Sequence, residues 1–228
     1  MNILALDTCT ESCSAALLYQ GELFERIERT QRGHSDLILG MMDELFIQAD
    51  TGISAVDAVA FGRGPGSFTG VRVGVGVAQG IAFARNIPVM PISSLAAVAQ
   101  DAADKCEAEY IAVAMDARMG EVYCASYRFI DGLVHLIGDE RVCPPEQFIP
   151  ADNNQKWLAV GTGWGVYAKA LQQNFIDNLS DVSVEHFPYA SQIIKLAQVE
   201  IAAGRLLPAE EAMPVYLRNN VAKKKGEQ

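Results

Sequence analysis

The stretch DAVAFGRGPGSFTGVRVGVGVAQGIAFAR, residues 57–85, runs from a short apolar segment through a glycine-rich turn into a helical pattern. Asp57 to Gly62 reads as a buried strand and Thr69 to Arg85 as a helix, so GPGSFTG (Gly64 to Gly70) makes the strand-to-helix turn. At such a turn the backbone N–H groups and the helix dipole can meet an anion. Equally, Gly64, Gly66 and Gly70 can form a structural loop, supplying positive φ for a tight turn. The segment is not a Walker A loop, because no Lys follows its last Gly. It is not GxGxxG either, because the third Gly would fall on Thr69.

Working outward, Asn2 to Asp7 reads as a buried strand, and Ser14 to Tyr19 with Glu22 to Glu28 as a hairpin turning at Gln20-Gly21. His34 to Gln48 has helical periodicity. Pro88 to Ile92 is a strand, and Ser93 to Lys105 a helix capped by Ser93 or Ser94. The pattern then restarts, with Tyr110 to Met115, Glu121 to Ile130 and Leu133 to Val142 as strands, the last two turning at Asp131-Gly132. Trp157 to Val160 is a strand into GTGWG, followed by a helix to about Gln173 and another from Ser191 to Gly204.

The two halves share one plan, three strands, helix, strand, helix, which implies duplication. Duplicated βββαβα lobes are the layout of the α/β two-lobed actin/Hsp70/sugar-kinase-like (ASKHA) class, whose members bind nucleotide between the lobes. Periodicity alone does not separate it from other α/β folds. Expected are an N-terminal lobe at 1–105 carrying partner-binding helices, and a smaller, more degenerate C-terminal lobe at 106–228 with a frayed tail after about 219.

Across 228 residues, 18 Lys+Arg stand against 28 Asp+Glu, a net charge of −10, and half the residues are hydrophobic. That is a globular mixture, and its acidity argues against autonomous nucleic-acid binding. The concentrated basic run, Lys223 to Lys225, reads as a solvated tail. The densest apolar stretch, Val71 to Ala84, is broken by Arg72 and Gln79 and is shorter than the roughly 20 residues of a membrane helix. MNILALDT has no basic leader, so a cytoplasmic protein with reduced thiols is expected, without membrane attachment. Cys9 and Cys13 are separated by three residues, a spacing read as packing rather than metal binding.

Two helices carry unusual surfaces. In Val71 to Ala84, Gly70, Gly74 and Ala78, and likewise Gly76 and Gly80, recur every four residues, although each Gly costs an exposed helix about 1 kcal/mol relative to Ala. Such a helix packs closely on its own sheet or on a partner helix. In His34 to Gln48, Leu37, Ile38, Leu39, Met41, Met42, Leu45, Phe46 and Ile47 cover more of the circumference than one apolar stripe, leaving a face for a partner; gap-filling in the core is the alternative.

Catalytic constellations are thin. His34, His135 and His186 are far apart, without HExxH, HxxxH or CxxC, and Ser67 sits in PGSFTG rather than in a GxSxG elbow. Asp7-Thr8-Cys9-Thr10 and Asp116-Ala117-Arg118 each follow a strand that opens a half. Their carboxylates could address a metal-bound phosphate, with Thr8 and Thr10 as donors, or could be turn residues. In active members of the class a Gly stands where Arg118 stands here, which argues against ordinary ATP hydrolysis.

LALDTCT, FGRGPGSFTGVRVGVGVAQGIA, DARMGEVYCASY and PVYLRN together resemble the TsaB (YeaZ) family of bacterial tRNA threonylcarbamoyladenosine biosynthesis proteins. The likeness is dense over 1–127 and weaker beyond, except at Pro214 to Arg218. It implies the two-lobed fold and a non-catalytic paralogue of TsaD. TsaD carries two metal-binding histidines four apart; aligned by Pro88, these positions fall on Ser94 and Val98, neither of which replaces imidazole. RGHSDLIL, Arg32 to Leu39, resembles the start of the first helix in both paralogues and gives His34 no catalytic role. GTGWGVYAKAL resembles the glycine-rich adenosine contact of nucleotide-binding relatives but lacks the Asn that follows it.

The resemblance therefore implies no catalytic residue, no metal and no cofactor of the chain's own. Asp7, Thr8, Thr10, Asp116, Gly161 and Gly163 are left as a vestigial nucleotide site with room for weak binding, while ATP or ADP and metal belong to partner subunits. It further implies a scaffold that pairs with TsaD through the first two helices. Leu37, Ile38, Met41, Met42 and Leu45, with Val71, Gly74, Val75 and Ala78, are expected at that interface and at a homodimer of the free chain. TsaE joins the complex, tRNA is reached indirectly, and threonylcarbamoyl passes to N6 of the adenosine beside the anticodon. The competing readings are an ATPase or small-molecule kinase of the same fold and, further off, a glycoprotease-like peptidase.

Overall fold

The computed structural model describes residues 1–30 and 33–218. Arg32, Asn219, Lys223 to Lys225 and the tail expected after about 219 lie outside the described residues.

Five strands make the first sheet: β1 (Ile3–Asp7), β2 (Ser12–Tyr19), β3 (Glu22–Arg29), β4 (Ala58–Gly62) and β5 (Val89–Ile92), in the order β3-β2-β1-β4-β5. β1 runs antiparallel to β2 and parallel to β4. The hairpin turns on Gln20 and Gly21, both at positive φ (51° and 90°), as a two-residue loop requires.

Alternation along β1 decides what covers each face. Leu4 and Leu6 pack under α1 (His34–Gln48) and α2 (Phe68–Arg85) with Ile38, Leu45, Val71 and Ala78. Ile3 and Ala5 turn the other way, onto Ile193, Ile194 and Ala197 of the last helix, α6 (Ala190–Ala202). Ser67 caps α2 by accepting from Gly70 N, and Ser93 caps α3 (Ser94–Lys105) by accepting from Ala96 N.

The second sheet repeats the topology with β6 (Tyr110–Asp116), β7 (Val122–Ile130), β8 (Leu133–Cys143), β9 (Trp157–Val160) and β10 (Leu179–Ser183), in the order β10-β9-β6-β7-β8. On one face α3 packs on Val113, Tyr127 and Leu158. On the other lie Trp157, Trp164, Phe148 and Phe175, with α4 (Thr162–Val166) and α5 (Ala168–Asn174). The terminal helices cross over: α3 packs on β6, β7 and β8, whereas α6 returns to β1, β2, β4 and β5. The chain has the two-lobed α/β fold of the actin/Hsp70/sugar-kinase class.

Three elements depart from the sequence reading. β10, LSDVS, pairs in parallel with β9 but is half-polar and partly exposed, so it lacks the apolar run that marked the other strands. The single helix expected from GTGWG to Gln173 is broken at Tyr167, whose φ of −117° and ψ of 32° are non-helical. The second lobe, among the described residues, has no counterpart of α1. A 3-10 turn at Pro145–Gln147 follows β8 instead, and the prolines at 144, 145 and 150 keep that segment from a longer helix. The duplicated plan is thus complete in the first lobe and reduced in the second.

Candidate functional site

The strand ends of the two sheets face each other across a cleft holding a cavity of about 490 Å³, lined by Cys9, Thr10 and Ser67 from one lobe and Asp116, Arg118 and Thr162 from the other. Asp7 ends β1 below the cavity, wholly buried. Its Oδ1 accepts from Cys9 N at 2.8 Å and its Oδ2 from Ser94 Oγ at 3.2 Å. Burial pushes its carboxyl from 3.8 up to about 7, against the pull of those hydrogen bonds.

Asp116 is also satisfied within the chain: Oδ1 accepts from Arg118 N at 2.8 Å and Tyr167 Oη at 3.2 Å, and Oδ2 pairs with Arg118 Nη1 at 2.9 Å. Thr8 donates its hydroxyl to Gly70 O at 2.6 Å, and Thr10 Oγ1 accepts from Ser12 N at 3.1 Å. His34 Nε2 lies 2.8 Å from Thr10 O and fastens the start of α1 to the β1–β2 turn.

The glycine loop is seated on the β1–β2 turn. A Cβ at Gly66 would lie 2.3 Å from Cys9 O and one at Gly70 2.0 Å from Thr8 O, while Ser67 N donates to Cys9 O at 2.7 Å. Gly64, at φ 91°, precedes a cis peptide bond to Pro65. Of these glycines only Gly64 supplies the positive φ expected of a tight turn; Gly66 and Gly70 are needed instead for their close approach to the β1–β2 turn backbone. Gly161 and Gly163 likewise sit where a Cβ would come within 2.7 and 2.9 Å of Ala114 O. Ser94 is spent on Asp7, and Val98 is a core side chain beside Leu95 and Ile111. Among the described residues no group of three His, Cys, Asp or Glu could hold a metal.

One participant escapes sequence reasoning. The segment 214–218 crosses the mouth of the cleft: Val215 N donates to Arg63 O at 2.8 Å, Arg72 Nε to Tyr216 Oη at 2.8 Å, and Arg218 Nε to Glu121 Oε2 at 3.0 Å. It thus touches both lobes. PVYLR carried only a likeness to other sequences, with no periodicity pointing to a place.

The residues expected at a partner face are placed differently. Ile38, Met41, Met42, Leu45, Val71, Val75 and Ala78 are buried in the chain's own core, and Leu37 is half-buried against it. Gly74 lets α2 lie on β1, since a Cβ there would stand 2.8 Å from Thr8 Oγ1. The reason is the helical period: 38, 41, 42 and 45 form one stripe, and the sheet takes it. What α1 and α2 leave uncovered is a second stripe, with Leu39 53% exposed, Ile47 79% and Phe83 77%. With them are Gly76 and Gly80, above which the space is open. The sequence signal was there, since Leu39 and Ile47 are offset from the buried stripe.

Comparisons with known proteins converge. The family model for TsaD, tRNA N6-adenosine threonylcarbamoyltransferase, matches residues 27–226. The tRNA threonylcarbamoyladenosine biosynthesis protein TsaB of Haemophilus influenzae is 45% identical, covering 99% of this chain and 97% of that one. TsaB of Escherichia coli K12 is 41% identical, covering 99% and 98%. The solved structure of YeaZ from Pseudomonas aeruginosa superposes with a TM-score of 0.90 at 43% identity, covering 95% of this chain and 99% of that one. With the two-lobed fold, the glycine loop seated on the β1–β2 turn and identity running nearly end to end, the chain belongs to the TsaB (YeaZ) family, within the wider reach of the TsaD model.

Proposed function

We propose that this chain is a non-catalytic subunit of the machinery that makes threonylcarbamoyladenosine in tRNA, binding TsaD through the α1–α2 face. TsaE joins the pair, and threonylcarbamoyl passes to N6 of the adenosine beside the anticodon. The observation that carries the reading is the uncovered stripe of Leu39, Ile47, Gly76, Gly80 and Phe83. Gly76 and Gly80 are one helical turn apart and let another helix backbone approach closely, while the three apolar side chains gain from burial there. The free chain would self-pair through the same stripe, as a two-fold dimer.

Support for a non-catalytic role comes from the cleft, where Asp7 and Asp116 are closed on partners of their own chain, and from the resemblance, which aligns Ser94 and Val98 with the histidines of TsaD. A net charge of −10 leaves tRNA affinity chiefly to other subunits. ATP or ADP and metal are likewise assigned to the partners.

The test is threonylcarbamoyladenosine formation from tRNA, threonine, bicarbonate and ATP with adenylate synthase, TsaD and TsaE, this chain being added or omitted. Product should require the chain, should be lost with Leu39→Asp/Ile47→Asp, and should survive Asp116→Asn. A dispensable chain, or one inactivated by Asp116→Asn while still binding TsaD, overturns the reading. The cavity between the lobes favours one alternative, an ATPase; micromolar affinity for magnesium-ATP with turnover by the isolated chain would establish it.

A further inference from the structure

Cys124 in β7 and Cys143 at the end of β8 have their sulfur atoms 3.5 Å apart, about 1.5 Å beyond the length of a disulfide bond. Register explains the approach. Cys124 pairs with Arg141 and Val122 with Cys143, so the two thiols are diagonal neighbours on one face of the sheet, packed with Phe148 and Trp164. Neither belongs to the cleft or to the α1–α2 stripe.

Two further features bear on their chemistry. Immediately beside the pair the ladder slips: the next paired residues are Ser126 and Ile137, so one residue of β7 faces three of β8, with Gly138 at φ 74° inside the bulge. A bulge bends its strand and increases the local twist, and this one adjoins the Cys124–Arg141 pair. The two sulfurs also differ. The Cys143 thiol is drawn down, first by the hydrogen bond from the Cys124 thiol and then by the Arg141 charge, against its burial. The Cys124 thiol is pushed up, first by that same contact and then by burial. Cys143 is also the less enclosed of the two, 6% exposed against 0% for Cys124, so its sulfur is the one that a small oxidant meets first and the Cys124 sulfur the one placed to resolve.

We propose that Cys124 and Cys143 are a reversible dithiol–disulfide site in the folded chain, oxidised by hydrogen peroxide and reduced by small thiols. The Cys143 thiolate attacks a peroxide oxygen; an S–O bond forms, the O–O bond breaks, and hydroxide leaves, taking up the Cys143 proton as water. The Cys124 sulfur then attacks the Cys143 sulfur, the S–S bond forms, the S–O bond breaks, and a second hydroxide departs with the Cys124 proton as water. Two electrons pass from the two sulfurs to one peroxide. Two equivalents of reduced glutathione return both thiols and leave as glutathione disulfide. The bond would fasten β7 to β8 at the bulge that presents Glu140 to Arg63 and Tyr127.

The test uses the full chain, shown folded by circular dichroism, exposed to hydrogen peroxide and quenched with N-ethylmaleimide, first native and then unfolded. A non-reducing tryptic digest should join peptides 119–128 and 142–156, lighter by two hydrogens, and reduced glutathione should separate them. Cys143→Ser should lose the link, and Cys124→Ser should leave a sulfenic acid at Cys143 that dimedone traps. A link that forms only after unfolding, or oxidation confined to Cys106 with Cys124 and Cys143 still alkylatable once unfolded, overturns the proposal. The wild-type digest decides this whether or not either variant folds.

Discussion

Arg63, just past β4, reaches across the lobes to Glu140 in β8, with Nη2 and Oε2 3.0 Å apart. The Glu140 side chain is 8% exposed and also accepts from Tyr127 Oη at 3.2 Å. On its other side Arg63 offers its carbonyl to Val215 N, so this residue joins the first lobe to the second sheet and to the crossing segment. Glu140→Ala strands a half-buried guanidinium and a buried phenol, and should cost about 2–3 kcal/mol. Glu140→Gln, which can still accept from Tyr127, should cost less. Urea unfolding checks both: the midpoint should fall with the slope unchanged, and equal losses would mean that the charge, which both variants remove, carries the whole effect and the Tyr127 hydrogen bond none of it.

Asp7 should make stability fall as pH rises. Its carboxyl titrates near 7 in the fold against 3.8 ordinarily, mainly through burial. The folded chain therefore holds a proton that the unfolded chain releases. The stabilisation is full below about 3.8, declines as pH climbs from there to about 7, and is flat above. The loss is on the order of 4 kcal/mol. Asp7→Asn keeps an acceptor for Cys9 N and removes the titration. Its unfolding free energy should match the wild type near pH 4 and exceed it at pH 8. Parallel pH profiles for the two proteins would show that the Asp7 carboxyl titrates no higher in the fold than in the unfolded chain.

How much of this was legible in the sequence depended on whether local pattern or tertiary placement was in control. β1, β4 and α1 were readable because a short apolar run and the helical period are local, and Gln20-Gly21 and Asp131-Gly132 because two-residue hairpins need their residue types. β10 was hidden because LSDVS is an edge strand whose partners lie 22 to 23 residues back in β9. Of the residues expected at a partner face, all but the half-buried Leu37 proved to be core residues of α1 and α2. Leu39 and Ile47 are as apolar as Met41 and Leu45, and only the packed sheet reveals that Met41 and Leu45 face inward while Leu39 and Ile47 do not. Of the cleft, the sequence picked out Asp7, Thr8 and Asp116 but not that each would be bonded within its own chain. That outcome rests on Ser94 and Tyr167, which lie 87 and 51 residues away from the carboxylates they meet.

The glycines of α2 divide into two kinds, and alanine should separate them. Gly70→Ala places a Cβ 2.0 Å from Thr8 O, a backbone atom that cannot step aside, so β1 and α2 must part. A loss of about 3 kcal/mol or more, or failure to fold, is expected. Gly76→Ala and Gly80→Ala meet open space and should each stabilise the isolated chain by up to about 1 kcal/mol. The same methyl groups fill the groove proposed for a partner helix, so TsaD capture by the doubly substituted chain should weaken as its melting temperature rises. Tighter capture by that variant would move the partner off α2.

Arg218 should decide how firmly the crossing segment holds. Its guanidinium bonds Glu121 Oε2 through Nε at 3.0 Å and Arg118 O at 3.3 Å, both in the second lobe. Tyr216 and Val215 are held by Arg72 and Arg63 of the first. The Arg218–Glu121 pair is partly buried and bonded through two nitrogens, so Arg218→Ala should cost about 1 kcal/mol overall. The local effect should be larger than the global one. The Val215 amide, bonded to Arg63 O, should exchange its hydrogen severalfold faster, because the segment can peel from the cleft without unfolding either sheet. The Ala78 amide, inside α2, should exchange as before. If both accelerate together, the segment is part of the cooperative core and the lobes do not hold without it; if neither does, Arg63 and Arg72 suffice to pin it.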